Sequence, residues 1–74
     1  MVIEVFGKVL RELREARSLS QEKLAEYCDL DRTYISLLER GLRQPTITTI
    51  FKIAKALDIS PSVFIEMVEV KVKK

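Results

Sequence analysis

Four residues suited to capping a helix, Ser20, Asp31, Thr46 and Ser60, each stand just before an apolar-periodic stretch and divide the chain into short lengths. A side-chain oxygen at such a position accepts a hydrogen bond from one of the early amides that a helix leaves unpaired. Proline follows Ser60 at the first helical position, where a missing N–H is harmless, and Gly41 supplies a left-handed stop. These signals predict an all-α fold, a compact five-helix bundle.

The first helix reads from about Val5 to Arg17, with Phe6, Val9, Leu10, Leu13 and Ala16 on one stripe and Lys8, Arg11, Glu12 and Glu15 opposite. The second runs from Gln21 to about Cys28 and places Leu24, Ala25 and Cys28 on one face. The third runs from about Arg32 to Arg40. In the fourth, opened by Thr46, the stripe is Ile47, Ile50, Phe51, Ala54 and Leu57. The fifth runs from Pro61 to about Val68. Residues 69–74 alternate apolar and charged, which reads as a frayed end or as a strand pairing with Met1–Val5. A lone two-stranded ribbon is marginal in water, which favours the frayed end.

Composition removes several classes of function. With 74 residues the chain is one domain, 1–74. The absence of histidine excludes a His general base and His metal ligation. A single cysteine, Cys28, excludes an intrachain disulfide framework and fits a reduced, cytoplasmic setting; on the inner face of the second helix it reads as core packing. No apolar run approaches a membrane span, and no signal-peptide pattern opens the chain. Thirteen basic against eleven acidic residues leave +2, so any basic footprint must be local. Tyr, Ser, Asp and Cys are present, but no nucleophile has a recognisable base beside it, and neither a cofactor nor a small-molecule effector is implied.

Two short helices joined by the break Asp29-Leu30-Asp31 form the outline of a helix-turn-helix. Counting about 100° per residue from Arg32, Ser36 falls near 40°, Arg40 near 80°, Thr33 near 100° and Leu37 near 140°. Tyr34, Ile35 and Leu38 occupy the opposite, inner arc. The outer arc suits a DNA major groove: arginine forks onto guanine O6 and N7, and threonine offers a hydroxyl to a base edge and a methyl to thymine's. Ser36 permits close approach, and Leu37 offers an apolar contact. Glu39 lies outside the arc, and Asp31 is occupied as a cap.

Residues Ser20 to Ala25 and Leu30 to Gly41, with Pro45-Thr46 and Ile53 to Leu57 downstream, resemble the phage Cro/repressor-type helix-turn-helix family over about residues 6 to 68. The segment Leu30-Asp31-Arg32-Thr33-Tyr34-Ile35-Ser36 is similar to controller regulators of restriction–modification systems. The resemblance implies a lambda-repressor-like DNA-binding domain. It implies that Gln21 bonds a phosphate and braces the recognition helix, and that Arg32, Thr33, Ser36 and Leu37 read bases. It places Arg43 on a loop reaching DNA, Tyr34 near the DNA backbone, and Arg14 with Glu39 in an ion pair between the first and third helices. Two positions depart from the family's pattern, since glycine is usual at Asp29 and frequent at Ser18. Aspartate tolerates the left-handed turn well. Serine is less suited, and another shape is expected for the first connection.

One such helix reads too few base pairs to stand out among the competing sites of a genome, which calls for two copies on a palindrome. The fifth helix carries more apolar surface than one core contact needs, and Phe64, Ile65 and Val68 are the expected homodimer interface. The expected function is a homodimeric, sequence-specific double-stranded DNA-binding transcriptional regulator with no catalytic activity. The alternative is a protein-interaction module of the same fold, such as an antitoxin, using Leu37, Leu42 and Tyr34.

Overall fold

A computed structural model describes residues 1–73, and within them the chain forms five helices: α1 Val2–Ala16, α2 Gln21–Cys28, α3 Arg32–Glu39, α4 Ile47–Ala56 and α5 Pro61–Val72. The hydroxyls of Ser20, Thr46 and Ser60 accept from the amides of Lys23, Thr49 and Val63, and the Asp31 carboxylate accepts from that of Thr33. All four expected caps are therefore made. No described helix is long and apolar enough to cross a membrane.

The core gathers Phe6, Val9, Leu10 and Leu13 of α1, Leu24, Ala25 and Cys28 of α2, Ile35 and Leu38 of α3, Ile50, Ile53 and Ala54 of α4, Leu57, and Phe64 and Val68 of α5. Helix α1 lies centrally against α3 and α5, while α2 packs on α3 and α4. Phe6 and Phe64 stack with ring centroids 5.0 Å apart, fixing α5 to α1. Burial pushes the Cys28 thiol up to about 11, against the nearby charge of Lys52, as befits a small apolar side chain in a core.

Several expectations need correction. Helix α1 starts at Val2 and ends at Ala16, and Ala16 is exposed. In α4 the buried stripe is Ile50, Ile53, Ala54 and Leu57, whereas Ile47 and Phe51 face outward at 71% and 58% exposure. Phe64 and Val68, expected at a dimer interface, are buried in this chain's own core. The residues after Val68 continue α5 to Val72 rather than fraying or pairing as a strand. Extending an existing helix adds one hydrogen bond per residue fixed, whereas an isolated ribbon gains little. Lys71 pairs with Glu12 of α1 at 3.6 Å and Lys73 with Glu69 at 3.4 Å along that extension. Lys74, the last residue of the same tail, lies outside the described residues.

Four helix ends share one geometry. Ser18, Asp29, Gly41 and Asp58 take left-handed conformations at φ 56°, 57°, 73° and 59°. At each, the amide of the next residue reaches back to close the end, as Leu19 does to Arg14 and Leu30 to Ala25. Ser18 thus adopts the left-handed turn that the sequence made doubtful, because two backbone hydrogen bonds and the partly buried Leu19 hold it there. Ser18→Gly is expected to raise stability by about 0.5–1 kcal/mol, relieved strain outweighing the entropy that glycine adds to the unfolded chain. Calorimetry should show a melting rise of a few degrees; a fall would mean that the serine hydroxyl contributes.

Candidate nucleic-acid interface

The turn between α2 and α3 is fixed from both sides. Asp29 closes α2, Leu30 packs against the core, and Asp31 opens α3 by accepting from the Thr33 amide at 3.1 Å. Ile35 and Leu38 are fully buried and Tyr34 packs on the core, which determines which side of α3 remains outside. That side holds Arg32, Thr33 and Arg40, all exposed, with Ser36 and Leu37 partly exposed between them. Arg43 is exposed on the following loop. Among the described residues, none of Arg32, Arg40 and Arg43 is engaged in an ion pair.

Below this face lies a buried brace. Arg14 donates through Nε to Glu39 Oε2 at 2.6 Å and through Nη2 to Oε1 at 3.1 Å, a bidentate pair between α1 and α3. Its Nη1 donates to the Leu19 carbonyl at 2.7 Å. The hydrogen bond to Glu39 raises the Arg14 pKa further, against the desolvation that would lower it. Gln21 Nε2 donates to the remaining side of Glu39 Oε1 at 3.0 Å, tying the start of α2 to the end of α3. The Glu39 side chain is 3% exposed, so its charge is withdrawn from the outer face and neutralised within.

The structure separates the expected site residues into groups. Arg32, Thr33, Ser36, Leu37 and Arg40 share one face, with Arg43 on the adjoining loop. Gln21 and Glu39 meet Arg14 beneath it. Tyr34 turns toward α4, its hydroxyl 3.4 Å from Thr49 Oγ1, which in turn lies 2.9 Å from Thr46 Oγ1. Arg17, away from this face, donates to the carbonyls of Leu57 at 2.6 Å and Leu13 at 3.2 Å. Of the expected interface residues only Ile65 is exposed. It lies with Ile47, Ile50, Phe51, Pro61 and Glu66 around an open groove of about 590 Å³ between α4 and α5.

Sequence reasoning missed two residues that support this arrangement. Thr49 is a buried polar residue whose side chain is satisfied through the neighbouring hydroxyls of Tyr34 and Thr46, a pairing that no spacing rule reveals. Gly7 lies where α1 crosses the end of α3: a Cβ there would come within 2.5 Å of the Leu38 carbonyl oxygen and 2.6 Å of that of Glu39. A glycine inside an apolar-periodic helix was the available signal for it.

The helix-turn-helix family model matches residues 10–64, which include α2, α3 and their turn. The chain belongs to the helix-turn-helix family. Among curated relatives of this helix-turn-helix protein, control protein C.BamHI of Bacillus amyloliquefaciens is 52% identical over 58 residues, covering 77% of this chain and 72% of that one. The crystal structure of the restriction–modification controller C.AhdI from Aeromonas hydrophila superposes with a TM-score of 0.82 at 48% identity, over 84% of this chain and 94% of that one. The controller C.Esp1396I, solved as a tetramer in complex with its natural 35 base-pair operator, superposes with a TM-score of 0.90 at 36% identity. That match covers 100% of this chain and 97% of the other.

Proposed function

We propose that this helix-turn-helix protein is a controller-type transcriptional regulator, a homodimer that reads a palindromic operator in double-stranded DNA with α3 in the major groove. It acts in the cytoplasm, without catalysis or a cofactor. The observation that carries this reading is the outer face of α3: among the described residues, Arg32, Thr33, Ser36, Leu37 and Arg40 stand free of acidic partners while the Glu39 side chain is buried against Arg14. Arginine and hydroxyl groups so presented match the donors and acceptors of base edges, and Arg43 adds a charge for the phosphates. Gln21, spent on Glu39 in the free protein, stands at the start of α2 where a phosphate would approach.

Selection of bound sites from random duplexes tests this. A palindrome with half-site centres about 34 Å apart is expected. Arg32→Ala should cost about 1–3 kcal/mol of specific binding and relax one base position per half-site, whereas loss of a phosphate contact would weaken all sequences alike. Unchanged selectivity in that variant would remove Arg32 from the reading set. Affinity should also fall steeply with salt as counterions are released.

The second copy is proposed to sit on Ile47, Phe51 and Ile65. These side chains are 71%, 58% and 44% exposed on one α4–α5 groove, and covering them restores the burial that apolar residues of this size favour. Phe51→Asp is expected to shift sedimentation from dimer to monomer and to weaken operator binding at least tenfold, with the helical content retained. A dimer unaffected by that change would place the interface elsewhere.

A further inference from the structure

Helices α4 and α5 each carry an outward row at four-residue spacing: Ile47, Phe51 and Lys55 on α4, and Pro61, Ile65 and Glu69 on α5. Residues so spaced stand one above another on a helix, so each row runs apolar, apolar, charged. The helices pack together through the connection 57–60. Glu69 lines the groove between them with Ile47, whereas Lys55 lies past Phe51 and Pro61, in the adjoining hollow with Asp58. The two rows therefore run in opposite directions, and opposite charges close the two ends of one apolar strip. Lys52 reinforces the basic end, where Asp58 offsets part of the charge, and Glu66 reinforces the acidic end. Among the described residues Lys55 has no ion-pair partner, and Glu69 has Lys73 at 3.4 Å. An exposed pair of that kind contributes little, which leaves the Glu69 carboxylate open to another cation.

Resting on the placement of the second copy given above, we propose that two copies seat antiparallel on this strip, with Lys55 of each against Glu69 of the partner subunit. Two seatings would bring Ile47, Phe51 and Ile65 of both copies together. A two-fold axis along the strip sets Lys55 against Lys55 and Glu69 against Glu69. An axis across the strip at Phe51 sets Lys55 against Glu69 of the partner subunit, and symmetry makes that contact twice. Like charges brought together at the edge of a drying apolar contact oppose it, whereas opposite charges steer the encounter and fix the register. The charge pattern therefore selects the second seating. Burial of the apolar strip holds the copies together, and the charged ends decide which way round they sit.

The test reverses the two charges separately and then combines them. Lys55→Glu and Glu69→Lys, purified apart, should each dimerise about tenfold more weakly by sedimentation, since each homodimer then holds two like-charge contacts. Mixed in equal amounts, they should regain the wild-type affinity as a heterodimer, because both contacts again join opposite charges. Native mass spectrometry with one variant isotope-labelled should show the mixed species in large excess over either homodimer. Sodium chloride should weaken the wild-type dimer and strengthen those of the single variants, because screening reduces attraction and repulsion alike. The double variant carrying both reversals should dimerise as wild type does, which decides the case even where a single variant folds poorly. Single variants that dimerise like wild type, a mixture in the random statistical ratio, a mixture that stays monomeric, or a monomeric double variant would each overturn the antiparallel seating. The placement itself is read separately: a dimer that survives Phe51→Asp overturns the α4–α5 interface whatever the charges do.

Discussion

Glu39→Ala is expected to lower stability by about 3–5 kcal/mol, the range for removing one partner of a buried ion pair. A chain of 74 residues holds only about 4–11 kcal/mol in total. The variant leaves the Arg14 guanidinium, whose side chain is 11% exposed, with the Leu19 carbonyl and a 4.0 Å approach to Glu15. It also deprives Gln21 of its acceptor. Urea denaturation of wild type and variant measures the loss directly. Replacing both partners by apolar residues, Arg14→Met with Glu39→Leu, should restore most of the stability, because no uncompensated charge remains. Operator affinity should recover less, since the tie from Gln21 to α3 is still missing. A loss below about 1 kcal/mol in Glu39→Ala would show that the pair behaves as an exposed one.

Gly7→Ala carries the next largest effect. In most helix interiors this change is favourable by about 1 kcal/mol. Here the new methyl would meet two backbone oxygens, at 2.5 and 2.6 Å, and backbone cannot rotate aside as a flexible side chain can. Helix α1 must therefore move from the end of α3, and overpacking of this kind costs about 1–3 kcal/mol. The Leu38 carbonyl also accepts from the Gly41 amide, so the displacement strains the closure of α3. A net loss of up to about 2 kcal/mol is expected in thermal or chemical unfolding, the overpacking cost less the propensity gain, accompanied by weaker operator binding as α3 shifts. A variant as stable as wild type would mean that the two helices separate without resistance.

Much of the architecture could be read from local chemistry. Ser20, Asp31, Thr46 and Ser60 cap as their side chains dictate, and α2 begins and ends where its signals lie. The outward arc of α3 followed from helical periodicity because Ile35 and Leu38 leave little choice of inner face. Elsewhere the deciding interactions were non-local. Met1 caps α1 without a side-chain hydrogen bond, so nothing at that end announced the start of the helix. The apolar excess of α5 was visible, but its allocation depended on Phe6 being in place to stack on Phe64. The alternation from Val68 onward looks like a strand only while the preceding helix, and Glu12 opposite Lys71, are out of view. Gly7 likewise acquires its role from the carbonyls of another helix.

Helix α5 serves two masters: Phe64 and Val68 close the interior, while Ile65, on the same twelve-residue rod, looks out toward the proposed second copy. Mass action then links subunit pairing to the integrity of each subunit. The melting point should climb with total chain concentration, and a dilute population should shed structure and operator occupancy together. Scarcity would thus silence such a regulator more sharply than a simple count of its molecules suggests.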